Sequence, residues 1–345
     1  MKTRRNTPGV LALLLTLAAG TLSARAGLVI VPTYDSSITS DPQHAVIEAT
    51  IQDAINNIDA ALSNSVTVDI TFSEMSSGLG ESNSYYYQTS YASYLSALQN
   101  NQVLSSDDRT AIASLGSGTA ANPVNGDSDI IATQALLEAL QVNVQGDGPL
   151  SGPVTGNSIQ LNTSVMNLSR TGSQNPDFYD LEGVAAHEID EILGVGGAGS
   201  NLSDGGSTTG PVGPLDLYRY SAPGTRSYSV TPGADPYFSI NGGVSNLDYF
   251  NQEGAADGSD MSDWGNGITG AEYGNTPPQV QDAFGTPGAQ PNLGPGEMTA
   301  LDVAGWNLTS NGLQLEAVPE PRECWLLLIA PALVVTTRRR IRTVG

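Results

Sequence analysis

Val184-Ala185-Ala186-His187-Glu188-Ile189-Asp190-Glu191-Ile192-Leu193-Gly194 reads as the end of an amphipathic helix, and it holds one of only two histidines in a chain of 345 residues. Leu181, Val184, Ala185, Ile189 and Ile192 recur at helical spacing and define its apolar arc. On an α-helix, positions i and i+4 stand one above the other, so His187 and Glu191 can point at the same ion. Glu188 falls inside the apolar arc, whereas Asp190 is expected to face away. A carboxylate at the edge of a core is costly unless a cation or a proton balances it, which makes Glu188 a candidate for proton transfer. The helix is expected over Asp177 to Leu193, ended by Gly194 and the run Gly196, Gly197, Gly199.

Toward the N-terminus, Leu28 to Tyr34 reads as a strand and Pro42 to Leu62 as a helix with Asp41 as its N-cap. Ser65 to Phe72 alternates as Val66, Val68, Ile70 and Phe72, a half-buried strand. Strand, helix, strand implies an opening α/β unit. Helical patterns follow at Tyr91 to Leu98 and Ile130 to Val142, and a strand at Ile159 to Met166. Beyond the glycine run the chain is rich in Gly, Pro, Ser, Asn and Asp as far as Gly294. Loops and short aromatic strands, Leu217 to Tyr220 and Tyr237 to Ile240, are expected there, before a last helix at Pro295 to Ala304.

The two ends read as sorting segments. Residues 1–26 carry Lys2, Arg4 and Arg5, an apolar run from Val10 to Ala19 and a small-residue site at Ala24-Arg25-Ala26, the pattern of a secretory signal peptide. Residues 311–317 read as a linker. In residues 318–345, Val318-Pro319-Glu320-Pro321 precedes a short apolar run from Cys324 to Val335 and the basic cluster Arg338, Arg339, Arg340 and Arg342. Such a basic end stays on the cytoplasmic side and halts export. This tail resembles a PEP-CTERM sorting signal, which implies transient inner-membrane anchoring, cleavage by a dedicated sorting transpeptidase, and a final place outside the cell or at its surface.

Between these ends, residues 27–321 hold four basic residues, Arg109, Arg170, Arg219 and Arg226, against 34 acidic ones, a net charge of −30. That charge makes nucleic acid and anionic lipid poor partners of the domain and suits a soluble exported protein or one whose loops hold cations. The only cysteine, Cys324, lies in the tail, so the domain folds without disulfides. No P-loop, dinucleotide fingerprint or G-x-S-x-G elbow occurs in it.

The spacing of His187 and Glu191 is that of the two helix-borne zinc ligands of metallopeptidases, with the intervening Glu188 as general base. A helix followed after two further residues by glycine is similar to the metzincin arrangement. The segments Leu161-Asn162-Thr163, His187 to Gly194, Leu215-Asp216-Leu217-Tyr218-Arg219-Tyr220-Ser221-Ala222-Pro223-Gly224, Tyr237-Phe238-Ser239-Ile240-Asn241-Gly242-Gly243 and Leu301-Asp302-Val303-Ala304-Gly305-Trp306 together resemble a family of exported bacterial proteins with PEP-CTERM tails that are regarded as predicted metallopeptidases. The resemblance spans most of residues 27–308. It implies an α+β, zincin/metzincin-like domain over residues 27–310, with a mixed sheet, an active-site helix and a loop-rich C-terminal lobe. It also implies Zn2+ as cofactor and a protein or peptide as substrate.

The chain departs from the metzincin pattern at two places. The second ligand there is histidine, here Glu191; and Gly197 stands where a third His or Asp would closely follow the glycine. Carboxylate oxygen is an acceptable zinc ligand. Asp216 is the candidate third ligand, with Asp204 as the alternative. Tyr218 or Tyr220 is a candidate oxyanion donor and Met261 a candidate methionine turn, while His44 reads as a surface residue. Asp257-Gly258-Ser259-Asp260-Met261-Ser262-Asp263 is a candidate structural Ca2+ loop, although its spacing is not that of an EF-hand. The expected function is that of a secreted zinc-dependent endopeptidase. The alternatives are a non-catalytic cell-surface or extracellular-matrix protein on a degenerate zincin scaffold, and a glycoside hydrolase using paired carboxylates.

Overall fold

The structure, a computed structural model, describes residues 27–317 except 102, 117–119, 145–147, 150–151, 203–207, 232–233, 253–259 and 266–274. The segments read as a signal peptide and a sorting tail, Asp204 and residues 257–259 of the acidic segment therefore lie outside the described residues.

The expected opening unit is present. β1 (Val29–Tyr34), α1 (His44–Ala61) and β2 (Thr67–Glu74) follow one another, and the strands pair in parallel from Val29 opposite Thr67 to Tyr34 opposite Phe72. Ile47, Ile51, Ile55 and Ile58 bury one face of α1 against the alternating Val68, Ile70 and Phe72 of β2. Asp41 accepts the Gln43 N–H and shapes the turn before the helix, whose N-cap is Gln43.

β3 (Gly80–Asn83), β4 (Tyr86–Ser90), α2 (Tyr91–Gln99), α3 (Ser106–Leu115), β5 (Asp129–Thr133), α4 (Gln134–Ala139) and β6 (Val154–Leu161) come next. The helix expected over Ile130 to Val142 is in fact a strand and then a helix. Ile130 and Ala132 are buried in alternation as β5 pairs antiparallel with β4, and the Thr133 hydroxyl then caps α4 by accepting the Leu136 N–H. The main sheet runs in the order β1-β2-β6-β3. Its first three strands are parallel, and β3 lies antiparallel to β6 at the edge.

α5 (Leu181–Ile192) packs against α1, β3 and β6. Its start is four residues later than expected, because Asp180 is the N-cap, accepting the Gly183 N–H at 2.9 Å. Arg170 fixes that cap: Nη2 lies 2.6 Å from Asp180 Oδ2, and Nη1 lies 3.0 Å from Glu182 Oε1 in the first turn. Of the expected apolar stripe Leu181, Ala185, Ile189 and Ile192 are buried and Val184 is half-buried, but Asp190 is buried too, which corrects the expectation that it faces away. The C-terminal lobe covers the opposite side of the helix, a contact that a helical wheel does not contain.

That lobe holds an antiparallel sheet made of β7 (Arg219–Ala222), β8 (Thr225–Arg226), β9 (Tyr237–Phe238), β10 (Asp248–Phe250) and β11 (Trp264–Gly265), in the order β8-β7-β9-β10-β11. Leu215–Tyr218, partly read as strand, is a 3-10 turn feeding β7. Phe238, Phe250 and Trp264 stack into one aromatic cluster with ring centroids 5.4 to 6.1 Å apart. α6 (Pro295–Ala304) falls where expected, and the Trp306 indole behind it donates to Leu193 O at 2.9 Å, tying it to the end of α5.

Residues 311–317 are not a linker. α7 (Ser310–Glu316) is capped by the Thr309 hydroxyl and anchored to α1 through Thr309 N–H to Ala61 O at 2.8 Å. The domain is thus α+β with a mixed main sheet and a loop-rich C-terminal lobe. Among the described residues no helix is long and apolar enough to cross a membrane.

Candidate metal centre

His187 Nε2 lies 3.8 Å from Glu191 Oε1 and 3.7 Å from Asp263 Oδ2. One donor atom from each of the three residues falls within 4.8 Å of the others. His187 and Glu191 come from consecutive turns of α5, and Asp263 arrives from the loop entering β11. The other ring nitrogen, Nδ1, sits 2.9 Å from Val280 O. A carbonyl only accepts, so Nδ1 carries the hydrogen, and neutral His187 presents the Nε2 lone pair to the carboxylates. Gln281 Nε2 donates to Asp263 Oδ1 at 2.9 Å and stands 3.3 Å from both ring nitrogens. Val280 and Gln281 thus orient two members of the cluster at once.

Glu191 is held at both oxygens. Oε2 accepts the Ser82 hydroxyl of β3 at 2.7 Å, and Oε1 accepts the Gly197 N–H at 3.2 Å. The glycine leaves room for two carboxylates: a Cβ on residue 197 would lie 2.4 Å from Glu191 Oε1 and 2.7 Å from the Asp260 carboxyl carbon. A side chain at this position would have to displace the carboxylates of Glu191 and Asp260, and Asp263 lies beside His187 instead. Gly80 plays the matching part on β3, since a Cβ there would lie 2.2 Å from Glu188 Oε1. Glu188 therefore reaches the strand edge only because that strand starts with glycine.

The electrostatics follow from burying several acids around one imidazole. Burial raises Glu188 well above the ordinary carboxylate range, and the nearby Glu191 carboxyl adds to the effect. Asp263 is raised for the same first reason, with His187 opposing. Burial works against a charged His187, but Asp263, Glu188 and Glu191 outweigh it and push the imidazole up to about 10. Without an ion, a proton on Nε2 takes the place of the cation. Asp190, buried with neither oxygen hydrogen-bonded, is raised well above its ordinary range by burial and then by Glu297. The cluster as a whole concentrates negative charge that a divalent cation would relieve.

The structure brings together His187, Glu188 and Glu191 as expected, but not Asp216. The Asp216 carboxylate accepts from Ser200 Oγ at 2.5 Å, Asn201 N–H at 2.9 Å and Gly213 N–H at 2.8 Å, so it closes the loop that follows the glycine run. Its oxygens are used by those donors, and the third corner belongs to Asp263. Asp263 ends the acidic segment read as a calcium loop and lies in the His187 cluster instead. Nothing in local spacing marks it, since it lies 76 residues beyond His187; the one hint is an acid directly before a tryptophan in a polar loop. The tyrosine candidates fail too. Tyr218 is fully buried with its hydroxyl on Val303 O, and Tyr220 is packed under Arg226. Tyr86, about half exposed, lies closer to the cluster, near Glu191 and Asp260. Met261 is buried two residues before Asp263, and His44 lies at the exposed start of α1 beside Glu48.

One imidazole nitrogen and two carboxylate oxygens form a donor set that fits a divalent metal ion, with the Glu188 carboxyl beside it. Compared with protein-family models, curated proteins and solved structures, the chain matches none.

Proposed function

We propose that the chain is a zinc-dependent endopeptidase on a metzincin-like variant of the α+β fold, acting on protein or peptide outside the cytoplasm after its two ends have directed its export, anchoring and sorting. The observation that carries this reading is the convergence of His187, Glu191 and Asp263 beside Glu188, at the edge of the main sheet. An imidazole donor favours zinc over calcium, which takes oxygen ligands. Zinc, when bound, supplies Lewis acidity that polarises a carbonyl and eases deprotonation of water.

The chain's own groups would do the rest. Among the described residues β3 is an edge strand of the main sheet, and the backbone groups on its outer side would align an extended peptide beside Glu188. Glu188, deprotonated when a bound cation offsets the burial and the Glu191 carboxyl that raise its proton affinity, would take a proton from the attacking water and return it to the amine nitrogen as the C–N bond breaks. Ser82 and Gly197 hold Glu191, and Val280 holds His187, so the donors are set before substrate arrives.

The test is Glu188→Gln in the purified protein. Cleavage of a casein-like substrate should fall by at least roughly 100-fold with zinc content unchanged; cleavage at the parent rate would remove Glu188 from the mechanism. A parent protein that carries no zinc after mild purification and takes none up would instead favour a non-catalytic surface or matrix protein.

A further inference from the structure

We propose that Arg219 is a positioning residue for the metal centre: from β7 it fixes the backbone of the segment Asp260–Asp263 and so sets the Asp263 carboxylate against His187. This role rests on the metal-centre reading above.

Arg219 is one of four basic residues in residues 27–321 and is fully buried. Nη1 donates to Met261 O at 2.5 Å, and Nη2 donates to Gln252 Oε1 at 2.7 Å and Asn251 O at 3.3 Å. The guanidinium lies over the Phe250 ring, 4.6 Å from its centroid. Burial draws it down to about 10, with Asp216 opposing, so it stays cationic at neutral pH.

Its partners surround one short stretch of chain. Asn251 Nδ2 donates to Asp260 O at 2.9 Å, Arg219 holds Met261 O, the Ser262 hydroxyl donates to Gly196 O, and Asn251 N–H donates to Asp263 O at 2.8 Å. Every residue from 260 to 263 is therefore tethered by its backbone or side chain. Arg219 is the charged tether, and it also holds Asn251, which provides two of the others. Charge-assisted bonds to carbonyls are stronger than neutral ones, and a rigid guanidinium can serve several acceptors at once, which an ammonium on a flexible stem does less well.

A purely structural Arg219 would lower thermal stability and leave metal affinity per folded molecule unchanged. A positioning Arg219 alters the centre itself. The experiment measures zinc affinity by competition with a chromophoric chelator, and the visible spectrum of bound Co2+, in the purified protein and its Arg219→Lys and Arg219→Met variants, with folding checked by circular dichroism. The expected result is zinc affinity weakened by roughly 10–100-fold, as for other groups that orient metal ligands, with Lys less affected than Met and the Co2+ bands changed in both. Gln252→Met, which removes one partner of the guanidinium without removing its charge, is expected to act in the same direction and decides the matter if neither Arg219 variant folds. A folded variant with parental zinc affinity and a parental Co2+ spectrum overturns the role of Arg219 alone. A parent that binds neither ion overturns the metal centre, and this proposal with it.

Discussion

The Ser82 hydroxyl donates to Glu191 Oε2 at 2.7 Å, so the edge strand of the main sheet and a candidate metal ligand on α5 are joined through one hydrogen bond. With the Gly197 N–H on Oε1, this bond leaves the carboxylate little freedom to rotate. A glutamate placed where zincins carry histidine needs such support, because its side chain has one more rotatable bond than an imidazole's.

Ser82→Ala should therefore weaken zinc binding by roughly 10-fold or more. The loss of one hydrogen bond to a buried carboxylate should also lower stability by about 1–3 kcal/mol. Ser82→Thr, which keeps the hydroxyl, should restore most of the affinity. Competition titration with a chelator reads this, and an Ala variant binding as tightly as the parent would show that Ser82 does not orient Glu191.

Gly197→His puts a histidine where the metzincin pattern has its third ligand. It should fail to improve metal binding, since its Cβ alone would meet Glu191 Oε1 at 2.4 Å and force either the backbone or the ligand to move. Overpacking of this kind costs about 1–3 kcal/mol, so thermal unfolding should come earlier and zinc uptake should drop. Tighter zinc binding in this variant would mean that the centre is arranged differently.

Much of this arrangement was legible in the residues, and the exceptions share a cause. The βαβ opening, the α5 helix and α6 follow from periodicities of two and 3.6, which are local. His187, Glu188 and Glu191 were readable because one helical turn brings them together. Asp263 was not, because it meets His187 only after the C-terminal lobe folds over α5, and no local spacing encodes that contact. Asp216 looked equally suitable as an isolated acid, and only its three backbone and hydroxyl donors identify it as a loop clamp. The same lobe buries Asp190 and turns the apparent polar face of α5 inward. Thr309, a serviceable N-cap, was the available sign that residues 311–317 continue the packed domain.

Buried acids outside the three-residue cluster add to the pH dependence of the metal-free protein. Burial pushes Asp248 and Asp282 up to about 7 and Asp302 up to about 8, from ordinary values near 3.8. Between those limits the folded chain holds protons that the unfolded chain has released. The stabilisation is complete below the unfolded value and is lost as pH rises through 7 to 8. In chelator, the Tm should accordingly be higher at pH 5 than at pH 8. Asp302→Asn, an uncharged mimic of the protonated acid, should flatten the upper part of that decline. A Tm that climbs between pH 5 and pH 8 would contradict the assignment.

Asp216 and Asp263 separate a structural acid from a ligand. Asp263→Asn removes a carboxylate oxygen from the centre while an amide can still accept from Gln281, so the metal-free fold should persist with little change in chelator. Zinc should then add almost none of its stabilisation, which for the parent amounts to about 4 kcal/mol at a thousand times the Kd. Asp216→Asn should behave in the opposite way. Its charge-assisted bonds to Ser200, Asn201 and Gly213 weaken, lowering the Tm in chelator by an amount equivalent to about 1–3 kcal/mol. The rise in Tm on adding zinc should nevertheless match that of the parent, because none of the three donor atoms is touched. Thermal unfolding of both variants, with and without zinc, reads the two effects independently. If Asp216→Asn abolishes the zinc-dependent rise and Asp263→Asn preserves it, the third corner of the centre has been given to the wrong residue.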